Sequence, residues 1–189
     1  MEARSTRQRW TYAEFARLPS EGSTRYEVVD GEVCVTPSPT SRHQRIVGKL
    51  VTLLTAFAES HRLGATFPAP LDVLLGDGDY VQPDILFILK GRPNLLTDRG
   101  VEGPPDLVVE ILSPSTAARD RGIKLERYRL YGVAEYWIVD PDADTVEVWR
   151  LAEGAHDAIL LDRESVLRWT PVPDGPALDI ALTDLFAAA

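Results

Sequence analysis

The feature that most constrains this chain is a pair of apolar, strand-like runs that each carry one carboxylate. They are Val81-Gln-Pro-Asp84-Ile-Leu-Phe-Ile and Pro105-Asp-Leu-Val-Val-Glu110-Ile-Leu-Ser. Short apolar runs rich in branched residues read as buried strands. A lone charge buried in such a run costs several kcal/mol unless something pairs with it. Side chains alternate along a strand, so Gln82, Asp84, Leu86 and Ile88 share one face, and Asp106, Val108, Glu110 and Leu112 share another. With the two strands as neighbours and those faces aligned, Asp84 and Glu110 meet and ask for a cation. The simplest is a hard divalent metal, which takes oxygen ligands.

The rest of the chain frames these strands. Thr11-Tyr-Ala-Glu14 is a capping box that opens a short helix ending near Pro19. Tyr26 to Thr36 reads as a hairpin turning on Asp30-Gly31. From Ser41 to His61, Ile46, Leu50, Leu53, Leu54 and Phe57 fall on one helical face. Strands are expected over 66–75, 80–89 and 106–112, then a helix capped by Ser115 or Thr116 that runs to Tyr131 and stops at Gly132. Strands at 135–140 and 145–151 flank a Pro141-Asp-Ala-Asp turn. Beyond them come a weaker strand at 157–161, a proline-rich stretch at 171–176 and a short helix from Thr183. This order predicts an α/β fold, a mixed sheet flanked by helices with an N-terminal helix and β-hairpin. One domain over 1–189 is expected, with a core at about 10–150 and a C-terminal extension at 151–189.

Composition narrows the function. The chain is 44% hydrophobic and 26% charged, as in ordinary globular proteins. No apolar stretch is long enough to span a membrane, and the charged start lacks the apolar core of a signal peptide. Cys34 is the only cysteine, so no internal disulfide can form, and a cytoplasmic location is expected. No glycine-rich phosphate loop occurs, which argues against a nucleotide-driven enzyme. A net charge of −9 argues against a general nucleic-acid binder. Basic residues nonetheless cluster at Arg42, Arg45 and Lys49, and again from Arg119 to Arg129, so a local basic surface on an acidic body is expected.

Further candidates follow from helical spacing. Lys124 shares a side with Asp120, Tyr128 and Tyr131, from which its amine can reach the carboxylates. His43 precedes Ile46, Val47, Leu50 and Leu54 at helical spacing and so points towards the sheet. Each has a plain structural alternative: Asp84 as a turn cap, Glu110 as the buried partner of an arginine, Lys124 as a solvated helix residue, His43 as a satisfied core-edge histidine. Glu27, just ahead of the hairpin turn, reads mainly as structural, Asp72 is weighed as a neighbour of the metal but not adopted, and Asp120 and Arg121 serve to position the helix. Tyr136, Trp137 and Trp149 read as core or dimer-interface aromatics, and the three histidines are too scattered for zinc.

VQPDILFI, PDLVVEILSPST, the RDRGIKLERYRLYGVAEYWIVDP block and YEVVDGEV with SRHQRIVGKL resemble the Uma-type, restriction-endonuclease-like family of the PD-(D/E)XK nuclease superfamily, over about residues 10–150. The resemblance implies a magnesium-dependent nuclease site (manganese as substitute), a DNA substrate and a homodimer. It makes Asp84 and Glu110 the metal-binding acids. The pattern's lysine, expected two residues after Glu110, is replaced by Leu112, and Lys124 is offered as its relocated equivalent. His43 or Glu27 completes the site from the N-terminal side. The expected activity is endonucleolytic hydrolysis of DNA, with two alternatives. One is a catalytically silent member kept as a nucleic-acid or protein-binding module, and the other is a hydrolase of some other phosphoester.

Overall fold

A computed structural model of the chain describes residues 9–18 and 25–187. Pro19 and the charged opening residues 1–8 lie outside them. The first helix, α1 (Tyr12–Phe15), starts on the Thr11/Glu14 capping box. Strands β1 (Arg25–Val29) and β2 (Glu32–Thr36) form the hairpin. Asp30 and Gly31 both have positive φ, the conformation a two-residue hairpin turn of this type demands. Helix α2 (Ser41–His61) is capped by Thr40 and buries His43, Ile46, Leu50, Leu54 and Phe57, whereas Leu53, expected on the same face, is exposed at its edge.

The expected strand at 66–75 is two strands in different sheets. β3 (Gly64–Pro68) and β4 (Val73–Gly76) flank a cis Ala69–Pro70 bond. The run at 80–89 divides likewise into β5 (Asp79–Val81) and β6 (Ile85–Leu89), because Pro83 lacks the N–H needed to continue a ladder. Two short strands, β7 (Leu96–Thr97) and β8 (Gly100–Glu102), occupy what reads in sequence as a loop. Then comes β9 (Leu107–Ile111), followed by α3 (Ala117–Arg119), a π-helical turn (Asp120–Lys124) and α4 (Leu125–Tyr131). β10 (Glu135–Asp140), β11 (Thr145–Trp149), β12 (Ile159–Leu161), β13 (Val166–Trp169), β14 (Leu178–Ala181) and α5 (Leu182–Phe186) complete the order.

Two six-stranded mixed sheets result, in the orders β2-β1-β5-β4-β8-β7 and β12-β11-β10-β9-β6-β3. In the second, β9 and β10 run parallel, with the helical segment as their crossover. Alternation along its strands sends side chains to two cores. Ile85, Phe87, Leu107, Val109, Ile111, Trp137 and Val139 pack with α2, α5 and β13. Leu86, Ile88, Val108, Leu112, Tyr136 and Ile138 pack with α4 and the first sheet. Tyr136 and Trp137 are thus core residues on opposite faces, while Trp149 is only partly buried. Glu110 falls on the face that meets α4.

Candidate active site

Asp84 sits where the chain passes from β5 of the first sheet to β6 of the second, not in mid-strand. β6 pairs antiparallel with β9, Ile85 opposite Val109, so one step further along the two strands places Asp84 across from Glu110. Asp84 Oδ2 accepts the backbone N–H of Ile111 at 2.9 Å and the imidazole N–H of His43 Nε2 at 3.1 Å. Its Oδ1 takes Arg25 at 3.2 Å. Burial opposes the charge on Asp84, yet the His43 bond and charge, the Ile111 N–H and Arg25 outweigh it and hold the carboxyl below its usual range. His43 Nδ1 is buried with no hydrogen-bond partner.

Glu110 meets a different set of groups. Its Oε1 accepts Lys124 Nζ at 2.6 Å and the Tyr128 hydroxyl at 2.9 Å. The same ammonium donates to Glu27 Oε1 at 2.8 Å and lies 3.8 Å from Asp120. Glu27, on β1, also accepts the Gln82 N–H at 2.9 Å and faces Arg119 at 3.4 Å. Burial pushes Glu110 up to about 8, with Asp120, Asp84 and Glu27 adding to the rise and Lys124 opposing it. For Lys124, burial acts downwards, but Glu110, Glu27 and Asp120 overcome it and hold the amine above its usual value. Lys124 therefore stays protonated. Asp120 is also raised, mainly by burial.

Glu27, His43, Asp84, Glu110 and Lys124, all singled out from sequence, line one cavity of about 100 Å³. Each is nearly inaccessible, between 2% and 6% exposed. Pro37, Pro39, Pro114 and Pro141 contribute to its walls. Five acids line it, Glu27, Asp84, Glu110, Asp120 and Asp142, with four permanent cations, on Arg25, Arg42, Arg119 and Lys124. With Glu110 raised to about 8, and so mostly protonated at neutral pH, the charges nearly balance, and the free donors are oxygens. Among the described residues no group of three or more His, Cys, Asp or Glu is arranged to hold a metal by itself. An ion that needs one or two carboxylates and keeps several waters fits such a donor set. Within the described residues Glu110 Oε2 accepts no hydrogen bond, so one oxygen remains for that purpose.

Some placements differ from the sequence reading. Asp72 lies outside the cavity, accepting Gln82 Nε2 at 2.7 Å. Arg121 makes surface pairs with Asp140 and Glu147, as a helix-positioning residue would. Asp120, grouped with it on first-turn spacing, is instead buried in the cavity. Arg25 carried no role in the sequence reading, Arg119 entered only as part of a basic cluster, and Tyr128 only as a neighbour of Lys124 on the helix. Tyr128 was detectable, one helical turn beyond Lys124, whereas Arg25 had no signal because only the hairpin's placement brings it to Asp84.

The family model of Uma2, described as "Putative restriction endonuclease", matches residues 12–181 and so extends past the region carrying the sequence motifs. Among solved structures, the chain is similar to a crystal structure described as a putative nuclease belonging to DUF820 from Anabaena variabilis. Identity is 24%, the alignment covers 94% of this chain and 97% of that one, and the TM-score is 0.78. At that identity the likeness speaks for the fold. No curated protein matches the chain.

Proposed function

The chain belongs to the Uma2 family, and from that premise we propose that it is a metal-dependent endonuclease hydrolysing DNA phosphodiester bonds in the Asp84–Glu110 cavity. The observation that carries this reading is the convergence of five chemically suited side chains, three of them carboxyl groups, on one recess. A divalent ion such as Mg²⁺, or Mn²⁺ in its place, held by Asp84 and Glu110, would polarise the scissile phosphate and lower the pKa of an attacking water. His43 and the Ile111 N–H fix the rotamer of Asp84, and Tyr128 fixes that of Glu110. Lys124, held above its ordinary value, acts as a cation and not as a base. It stands beside Glu110, where it offsets charge that grows on the phosphate oxygens. Glu27 anchors Lys124 from the β1 side. A cytoplasmic homodimer is part of the same reading.

One observation favours a silent binding module instead: three of the four oxygens of Asp84 and Glu110 already have internal partners. Titration calorimetry with Mn²⁺ separates the two without any guess at a substrate. Under the nuclease reading the unaltered protein binds Mn²⁺, and Asp84→Asn loses that binding together with Mg²⁺-dependent nicking of plasmid DNA. Nicking that survives in Asp84→Asn refutes the assignment, and no Mn²⁺ binding in either protein favours the silent module.

A further inference from the structure

The two oxygens of Asp84 are not equally committed. Oδ2 is held twice, by the backbone of β9 and by His43. Among the described residues Oδ1 has a single partner, one Nη of Arg25 at 3.2 Å. Any ligand that reaches Asp84 from the cavity therefore arrives at Oδ1 and meets Arg25 there. The other wall cations are secured elsewhere. Lys124 is shared among three carboxylates, Arg119 is bound to Glu27 and to Thr36 Oγ1 at 3.1 Å, and Arg42 is drawn outward to Asp144. Two of these cations hold a carboxylate that the proposed ion must use, Lys124 on Glu110 and Arg25 on Asp84, and of the two only Arg25 has, among the described residues, a single acidic partner held through one unforked contact.

We propose, on the strength of the nuclease reading above, that Arg25 is a two-position phosphate ligand. It covers Asp84 Oδ1 in the resting protein, and the arriving divalent ion displaces it onto the substrate phosphate. A doubly charged cation at Oδ1 repels a guanidinium already there, and arginine cannot relieve that repulsion by losing its proton. Its side chain is tethered at the first residue of β1 and lines the cavity wall beside Thr36. Once released, its planar fork faces the recess where the phosphodiester lies, and that fork matches phosphate oxygens. Metal and phosphate then bind cooperatively, because the first ligand frees the residue that holds the second. The Asp84–Arg25 pair is in this sense a built-in brake on metal binding without substrate.

The test uses Mn²⁺ alone, and then a short fluorescent oligodeoxynucleotide with Ca²⁺. In calorimetry, Arg25→Gln is expected to bind Mn²⁺ about fivefold more tightly than the unaltered protein, since the competing cation is gone. In fluorescence anisotropy, Ca²⁺ is expected to strengthen oligonucleotide binding by the unaltered protein, and much less so by Arg25→Gln. Arg25→Lys, which keeps the charge and loses the fork, falls between them and serves as the readout if Arg25→Gln melts well below the parent. Equal or weaker Mn²⁺ binding by the Arg25 variants, with binding intact in the parent and lost in Asp84→Asn, overturns the role of Arg25 and leaves the metal site standing. No Mn²⁺ binding by the parent overturns both.

Discussion

Replacing Lys124 by methionine probes the site's charge balance directly. Methionine keeps an unbranched stem of similar reach and removes the ammonium. In the protein that ammonium touches Glu110 at 2.6 Å and Glu27 at 2.8 Å, and lies 3.8 Å from Asp120, all nearly inaccessible to water. Breaking a buried pair by removing one partner costs about 3–5 kcal/mol. Here one ammonium serves three acids, of which Glu110, at about 8, is mostly protonated at neutral pH, so a cost within that range is expected there. The sign of the pH dependence is fixed by Glu110. Burial raises its folded value to about 8, so its contribution to stability is full below the ordinary carboxylate range and is lost as pH rises through 8. Without Lys124 the folded values of the neighbouring acids rise further, and the loss continues to higher pH. The gap between parent and Lys124→Met should therefore widen by about 1.4 kcal/mol per pH unit for each extra proton retained, between roughly pH 7 and pH 9. Urea unfolding in the presence of a chelator, followed by tryptophan fluorescence at both ends of that range, measures it. A gap under about 1 kcal/mol, or one that does not change with pH, refutes the claim that Lys124 neutralises this cluster.

Two further outcomes are expected. Tyr128→Phe removes the hydroxyl that orients Glu110; it should cost about 1–2 kcal/mol in urea unfolding and weaken Mn²⁺ binding by about tenfold or more in calorimetry. Asp79, which accepts the Tyr131 hydroxyl at 2.9 Å, is raised to about 6, chiefly by burial, so its stability contribution is lost as pH rises through 6. Asp79→Asn has no such loss and should gain on the parent by about 1 kcal/mol, after allowance for solvent screening, between about pH 4 and pH 8 in the same unfolding assay.

The pieces legible in the sequence are those set by local pattern. The capping box at Thr11, the Asp30-Gly31 turn and the amphipathic face of α2 are written in short spacings, and each appears where its spacing places it, save that Leu53 faces solvent. What escaped was the passage of one apolar run between two sheets. Residues 66–75 and 80–89 read as continuous strands because periodicity records burial and not which sheet does the burying. Both breaks fall at a proline, Pro70 in one case and Pro83 in the other, where the backbone lacks a donor. Pro83 also puts Asp84 at the crossover, where its carboxylate can turn to α2 and β1 together. Arg25 was invisible for a related reason: a contact across 59 positions has no local spacing to reveal it.

The relocated lysine makes the same point in chemical terms. Glu110 and the residue two further on share a face of β9, so a lysine at position 112 would rise beside the carboxylate from the same strand. Leu112 occupies that place and is buried in the core beneath α4. The ammonium comes instead from above, off the helical crossover between two parallel strands. A regular α-helix would already stack Asp120, Lys124 and Tyr128 on one side. The π-helical turn over Asp120–Lys124 widens that stretch, and in this setting Lys124 and Tyr128 both end on the same oxygen of Glu110. A strand lysine needs only the sheet to be formed, whereas this one also needs the crossover docked and its π turn in place. The charge at the site therefore depends on the packing of α4 on β9 and β10, so substitutions in that interface should disturb the cavity even when they touch none of its walls.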